Sequence, residues 1–297
     1  MTPDAFLLVS LSALSLGFYN VACKHAVSEN SAVDVLLWSS VAGLVAFLAA
    51  AAADGGAAGL AEAMRATPAA RWMLAGKVAL VGSSWAAGYL AMRRLPISLA
   101  APVRATAPLW TLLGAIALYG ETPGPVRALG MLLMVAGYVL LAALGSREGF
   151  PWRGREMALV ALGTLLGAAS ALYDKFLLAH AGLPPRTVQL HFSAGLVLLF
   201  GAVWLARRAA WPAAERSPFR WRWSIPLVGA LLILSDALYF RAVALPDADI
   251  SMVSVFRRAS SVVAFFVGGI LFRDLALRRK ALALLLVLAG AALAALG

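Results

Sequence analysis

Long apolar runs, broken at short intervals by basic and turn-forming residues, dominate the pattern of this chain. A bilayer core takes about 20 mostly apolar residues per helix. Ten stretches meet that length: residues 5–26, 33–53, 72–92, 97–118, 125–144, 156–179, 187–206, 225–244, 250–272 and 276–295. The first differs from a cleaved signal, since Met1-Thr2-Pro3-Asp4 has no basic region and the apolar run continues into Lys24. The pattern therefore predicts a retained helix there. The longest connections, 54–71 and 207–223, are too short to fold as domains of their own.

Self-similarity organises the ten stretches. A shift of 153 residues places Arg127, Ala128, Leu129, Leu132, Leu133, Ala136 and Gly137 on Lys280, Ala281, Leu282, Leu285, Leu286, Ala289 and Gly290. The same shift puts Arg104 on Arg257, Leu118 on Leu271 and Glu121 on Asp274. Leu95-Pro96 falls on Leu245-Pro246 at a shift of 150, and Lys24 on Lys175 at a shift of 151. Alanine and leucine matches are cheap in such a biased sequence, so the charged, Gly and Leu-Pro pairs carry the weight. The expectation is an all-α polytopic membrane protein, with residues 1–146 as one five-helix repeat and 152–297 as the second. Five is odd, so the second half enters the membrane from the opposite side, giving an inverted repeat. That is the usual architecture of alternating-access transporters, with a substrate site near the midplane.

Composition agrees with the membrane reading, since 62% of the 297 residues are hydrophobic, 13% are charged and the mean hydropathy is +0.86. Soluble domains are about half apolar and about a quarter charged. One cysteine and the scattered His25, His180 and His191 give no disulfide framework, metal site or cofactor site. No nucleophile–base pair for an enzyme is apparent either.

Charge is the unexpected feature, with 25 Lys and Arg against 14 Asp and Glu for a net +11. Fourteen of the basic residues follow odd-numbered stretches, and six (Arg65, Arg71, Lys77, Arg127, Arg186, Arg241) lie at loops and helix ends on the other side. Under the positive-inside rule this orientation puts both termini outside. These twenty are topology and headgroup signals, which leaves no role for nucleic acid. The other five, Lys24, Arg104, Lys175, Arg257 and Arg258, fall within helices beside only two acids, Asp174 and Asp236.

An ionisable group at that depth costs several kcal/mol unless paired or hydrated. The surplus of three positive charges calls for a carboxylate or phosphate from outside the helices, and the arginine fork suits both. Arg104 lies between Pro102 and Pro108, where prolines free backbone carbonyls and a broken helix lines a cavity. Lys175 follows Tyr173 and Asp174, and Tyr239 lies one turn beyond Asp236. Candidate substrate contacts are thus Arg104, Lys175, Arg257, Arg258, Lys24, Tyr173 and Tyr239, with Asp174 and Asp236 for coupling or charge balance. His191 reads as a satisfied core histidine, and only one of Gln189 and His191 faces a cavity. Glu121 and Asp274 read as caps at the start of the following helices. Gly163 and Gly167 allow close helix approach within the bundle, and they also leave room for a homodimer. Trp72, Trp152, Trp211, Trp221 and Trp223 sit near segment ends, as in interfacial belts.

Two segments carry a family resemblance. The first is Ala101-Pro102-Val103-Arg104-Ala105-Thr106-Ala107-Pro108 running on to Tyr119-Gly120-Glu121, followed by Gly130 to Gly137. The second is Phe256-Arg257-Arg258-Ala259 running to Phe272-Arg273-Asp274, then Gly290. Together with the helix number and duplication, they resemble the drug/metabolite transporter superfamily, specifically its bacterial ten-helix members built from two EamA-like domains. Asp274 stands where that family usually has glutamate. The resemblance implies a secondary transporter in the bacterial inner membrane, exporting an amino acid or another small metabolite by alternating access. Its alternative is a flippase for a lipid or lipid-linked precursor. Arg257-Arg258 is also similar to a basic pair in the plastid phosphate-sugar translocators, a distant parallel that supports an anionic ligand. The expected partners are a carboxylate- or phosphate-bearing small molecule and membrane lipids.

Overall fold

In a computed structural model of the chain, the described residues are 2–27, 30–92, 103–104, 106–144, 154–210, 219–246, 248–260, 262–263, 267 and 277–296. They form ten α-helices: α1 (Pro3–Val27), α2 (Ala32–Met64), α3 (Pro68–Met92), α4 (Ala107–Tyr119), α5 (Pro125–Leu144), α6 (Arg155–Lys175), α7 (Pro185–Ala210), α8 (Ser224–Val243), α9 (Ile250–Arg257) and α10 (Leu277–Leu296). One π turn, Phe176–His180, continues α6. By length and composition α1, α2, α6 with its π turn, α7 and α8 are able to cross a membrane, and shorter apolar helices lie at 107–119, 125–140 and 285–294.

Local chemistry explains where the helices depart from the apolar runs. α2 continues beyond its apolar run to Met64, because Gly56 takes up the kink at φ 56° and good helix formers such as Ala57, Leu60 and Ala61 resume the helix. α3 starts at Pro68, where a missing N–H costs nothing, and Thr67 Oγ1 accepts from Ala70 N at 3.2 Å. Helix 4 begins as a regular helix only at Ala107, with Pro108 in its first turn. It ends at Gly120, whose φ of 64° lets the chain reverse while Gly120 N and Glu121 N donate to Ile116 O and Ala115 O.

α8 packs along α1 and α2, α3 packs along α6 and α7, and α2 also touches α7. α4 meets α6 and α9, and α9 meets α1. α5 and α10 run together so closely that a Cβ on Gly130 would lie 2.4 Å from Ala294 N, while one on Gly290 would lie 2.6 Å from Gly130 O. Small residues allow such contact where apolar solvent offers no hydrophobic drive. The main core joins Met131, Met134 and Tyr138 of α5 to Leu172, Phe192, Tyr239, Phe240 and Phe256. Large apolar side chains such as Leu7, Leu198, Leu205 and Leu285 remain exposed on the outside, a surface suited to lipid.

Candidate functional site

Charged side chains at the centre of the bundle meet in pairs contributed by different helices. α3 carries Lys77 and α6 carries Asp174, and the two form an ion pair with 2% and 4% of their surfaces exposed. The Lys77 ammonium also lies 4.5 Å from the Phe192 ring centre and 5.0 Å from that of Phe240. In this low-dielectric setting the rings supply the attraction that water supplies elsewhere. Tyr173, beside Asp174, donates to Met73 O at 3.1 Å and stacks on Phe176.

A second pair joins Arg257 of α9 to Asp236 of α8. The Arg257 guanidinium carbon sits 4.0 Å from the centre of the Tyr239 ring, one turn beyond Asp236. Its Nε is buried and has no hydrogen-bond acceptor among the described residues. Tyr239 lies within electrostatic reach of Asp174, Asp236 and Arg257, so both pairs share one network around its ring. Ser235, next to Asp236, donates to Ser12 O at 3.0 Å while Ser12 donates to Ser235 O at 2.8 Å, locking α8 to α1.

Glu121 forms a third centre. The left-handed turn at Gly120 sends its carboxylate across the molecule to the start of α9. There it accepts from Ile250 N at 2.7 Å, Ser251 N at 3.2 Å and Ser251 Oγ. Lys175 completes the cluster, donating to Glu121 Oε1 at 2.7 Å and to Ala248 O at 3.1 Å above the Tyr119 ring. Glu121 thus caps a helix N-terminus, but that of α9 rather than of the helix that follows it in sequence.

Arg104 and Arg258 are placed differently. Arg104 lies in the turn before α4, where Thr106 N and Thr106 Oγ1 both donate to Val103 O. Arg258 lies just past α9, with its N–H on Val255 O at 3.1 Å. The two are within electrostatic reach of each other, with Tyr19 near the first and Tyr138 near the second. Neither has a carboxylate partner among the described residues. Arg104 is exposed and Arg258 half-buried.

The remaining candidates are placed as follows. Lys24 is in α1, but its side chain lies outside the described residues, as do Pro102 and Asp274. His191 hydrogen-bonds Thr187 O one turn back at 2.9 Å, and Gln189 donates to Ile233 O at 2.7 Å. Trp72, Trp221 and Trp223 are strongly exposed, while Trp152 and Trp211 lie outside the described residues.

Two residues of the network escaped the sequence reading. Lys77 counts there as a helix-end charge, five residues into a stretch starting at 72; because α3 starts at Pro68, it is instead about two and a half turns inside the helix. Glu121 reads there as a local cap, and its reach to α9 depends on tertiary contact. For Lys77 the available signal was Pro68 after Thr67, an N-terminal helix signature.

Membrane-length apolar helices around buried, paired charges define a multi-pass helical membrane protein. Residues 5–143, the first of the two halves, match the EamA-like transporter family. Its members are membrane transporters rather than enzymes. A solved structure described only as a crystal structure of a protein superposes on 100% of this chain and 98% of its own, with a TM-score of 0.77 and 19% identity. That likeness concerns the fold alone. No curated protein matches the sequence.

Proposed function

We propose that the chain is a secondary transporter of the bacterial inner membrane, exporting a small metabolite that bears a carboxylate or phosphate. Ten helices cross the membrane in two inverted five-helix repeats, 1–146 and 152–297, and the substrate site lies between them. The reciprocal packing supports this: α1 lies on α8 as α6 lies on α3, and α2 and α8 touch as α7 and α3 do. Alternating access follows from exchange between two equivalent arrangements of such repeats.

One observation carries the substrate class. Lys77, Lys175 and Arg257 are each matched by a carboxylate from another part of the fold, whereas Arg104 and Arg258 stand together with none among the described residues. Two neighbouring guanidinium groups repel each other, the more so where Arg258 is half-buried, and a bound anion offsets that repulsion through charge-assisted hydrogen bonds. Arg104 and Arg258 are then the first anion contacts. Lys24 and Tyr173 remain candidate contacts, while Lys175 and Arg257 keep their internal carboxylates and Tyr239 supports the Arg257 guanidinium. Asp174 and Asp236 balance charge.

Purified protein in liposomes loaded with mixed carboxylates and phosphates tests this by mass-spectrometric readout of efflux. Selective anion efflux that falls at least tenfold in Arg104→Gln and Arg258→Gln is expected. Equal efflux of cations and anions, or no change in either variant, overturns the reading.

A further inference from the structure

The internal register is visible in matched contacts, and it assigns Arg104 an empty counterpart of a seat that is filled elsewhere. Ser84 of α3 donates to Gly163 O of α6 at 2.7 Å, as Ser235 of α8 donates to Ser12 O of α1. Both members are displaced by 151 residues. Ala91 and Val160 pack with Val103 and Met157. At the corresponding positions, Ala242, Val9 and Phe256 share the main core, and Phe6 meets Phe256 edge-on at 5.2 Å. Val103 thus stands for Phe256, and Arg104 stands for Arg257.

The surroundings of the two arginines differ in composition. Arg257 has Asp236 as its carboxylate and Tyr239 as the ring beneath its guanidinium. Counting back 151 residues, the first half has Trp85 in place of Asp236 and Gly88 in place of Tyr239. Trp85 turns away to stack on Phe200 at 5.6 Å. A Cβ on Gly88 would meet nothing within 4 Å. The positions that give Arg257 its carboxylate and its ring thus give Arg104 neither, and the space beside Gly88 is open.

We propose that this space receives a ligand carboxylate attached to a flat, π-bearing group. The carboxylate takes the role Asp236 plays for Arg257, and the ring takes the role of Tyr239, lying against the guanidinium face. This rests on the reading of Arg104 as an anion contact. The filled seat at Arg257 is thus an internal copy of the ligand.

Benzoate and cyclohexanecarboxylate, which share charge and approximate size but differ in flatness, test the proposal together with inorganic phosphate. Thermal stabilisation of the purified full-length protein is the readout. Benzoate is expected to act at roughly fivefold lower concentration than cyclohexanecarboxylate, the ratio a cation–π contact gives, and also below phosphate. Trp85→Asp supplies the internal carboxylate and should abolish the benzoate response. Gly88→Tyr supplies the internal ring in open space and should remove the preference for benzoate, which keeps the test valid if Trp85→Asp does not fold. Equal responses to the two carboxylates, a stronger response to phosphate, or a benzoate preference that survives both variants overturns the proposal. If an anion response then remains and is lost in Arg104→Gln, the transport reading still stands; if none of the three anions acts, both fail.

Discussion

Two helix crossings in this molecule occupy corresponding places and are filled by different chemistry. Where α3 crosses α6, Lys77 and Asp174 form an ion pair that is almost wholly buried. Where α8 crosses α1, the residues 151 positions away are Val228 and Cys23, which pack in an apolar cluster with Ala22, Ala26, Val35 and Ile225. The serine hydrogen bonds are common to both crossings; the charge is not. The crossing is therefore held by close approach and a serine, and the ion pair is an addition that the architecture does not require. Buried pairs stabilise little against an apolar replacement yet are costly to break singly.

The largest effect comes from breaking that asymmetry on one side. Lys77→Met or Asp174→Asn, each leaving one charge behind, should lower stability by about 3–5 kcal/mol, read as the thermal midpoint in detergent. The double variant Lys77→Val with Asp174→Cys, which installs the residues of the other crossing, should recover most of the loss. A double variant as unstable as the singles would show that the crossings are not interchangeable.

A second contrast concerns glycines where α2 meets α8 and α7 meets α3. A Cβ on Gly229 would fall 2.2 Å from the backbone oxygen of Ser39, whereas one on Gly195 would fall 2.4 Å from a methyl of Val78, which is able to turn. Gly229→Ala should cost about 2–3 kcal/mol and Gly195→Ala about 1 kcal/mol, within the range for overpacking. Thermal midpoints measured side by side check the ranking, and a reversal would contradict it.

Smaller again is the loss expected from Glu121→Gln, about 1–2 kcal/mol, since the amide oxygen still accepts one helix N–H but no longer pairs with Lys175. Hydrogen exchange at Ile250 and Ser251 should rise, with Val253 as the internal reference. The smallest effects should come from Ser84→Ala and Ser235→Ala, each about 0.6 kcal/mol. A larger loss for Ser235→Ala would measure its added contacts with Ser12 Oγ and Arg257, and a larger loss for Ser84→Ala would contradict equal weight of the shared bonds.

How much was legible in the sequence varies with the distance over which each feature is determined. The apolar runs locate the helices because a helix in lipid must satisfy its backbone within itself, so length and composition suffice. The match of Arg104 with Arg257 is a feature of the sequence itself, where a shift of 153 residues superposes them. Which arginine lacks a partner was not legible, because Asp236 reaches Arg257 only once α8 and α9 meet. Lys77 was misplaced by a helix start four residues early. Glu121 was read correctly as a capping group, but only the reversal at Gly120 determines which helix it caps.

Glu121 also ties the fates of the two halves of the chain. It belongs to the first half, while the amides of Ile250 and Ser251 and the ammonium of Lys175 belong to the second. A second half synthesised alone would leave α9 without its cap and Lys175 without its counter-charge. A gene encoding this protein, split at the midpoint, would therefore yield two products that each lack a contact the other supplies.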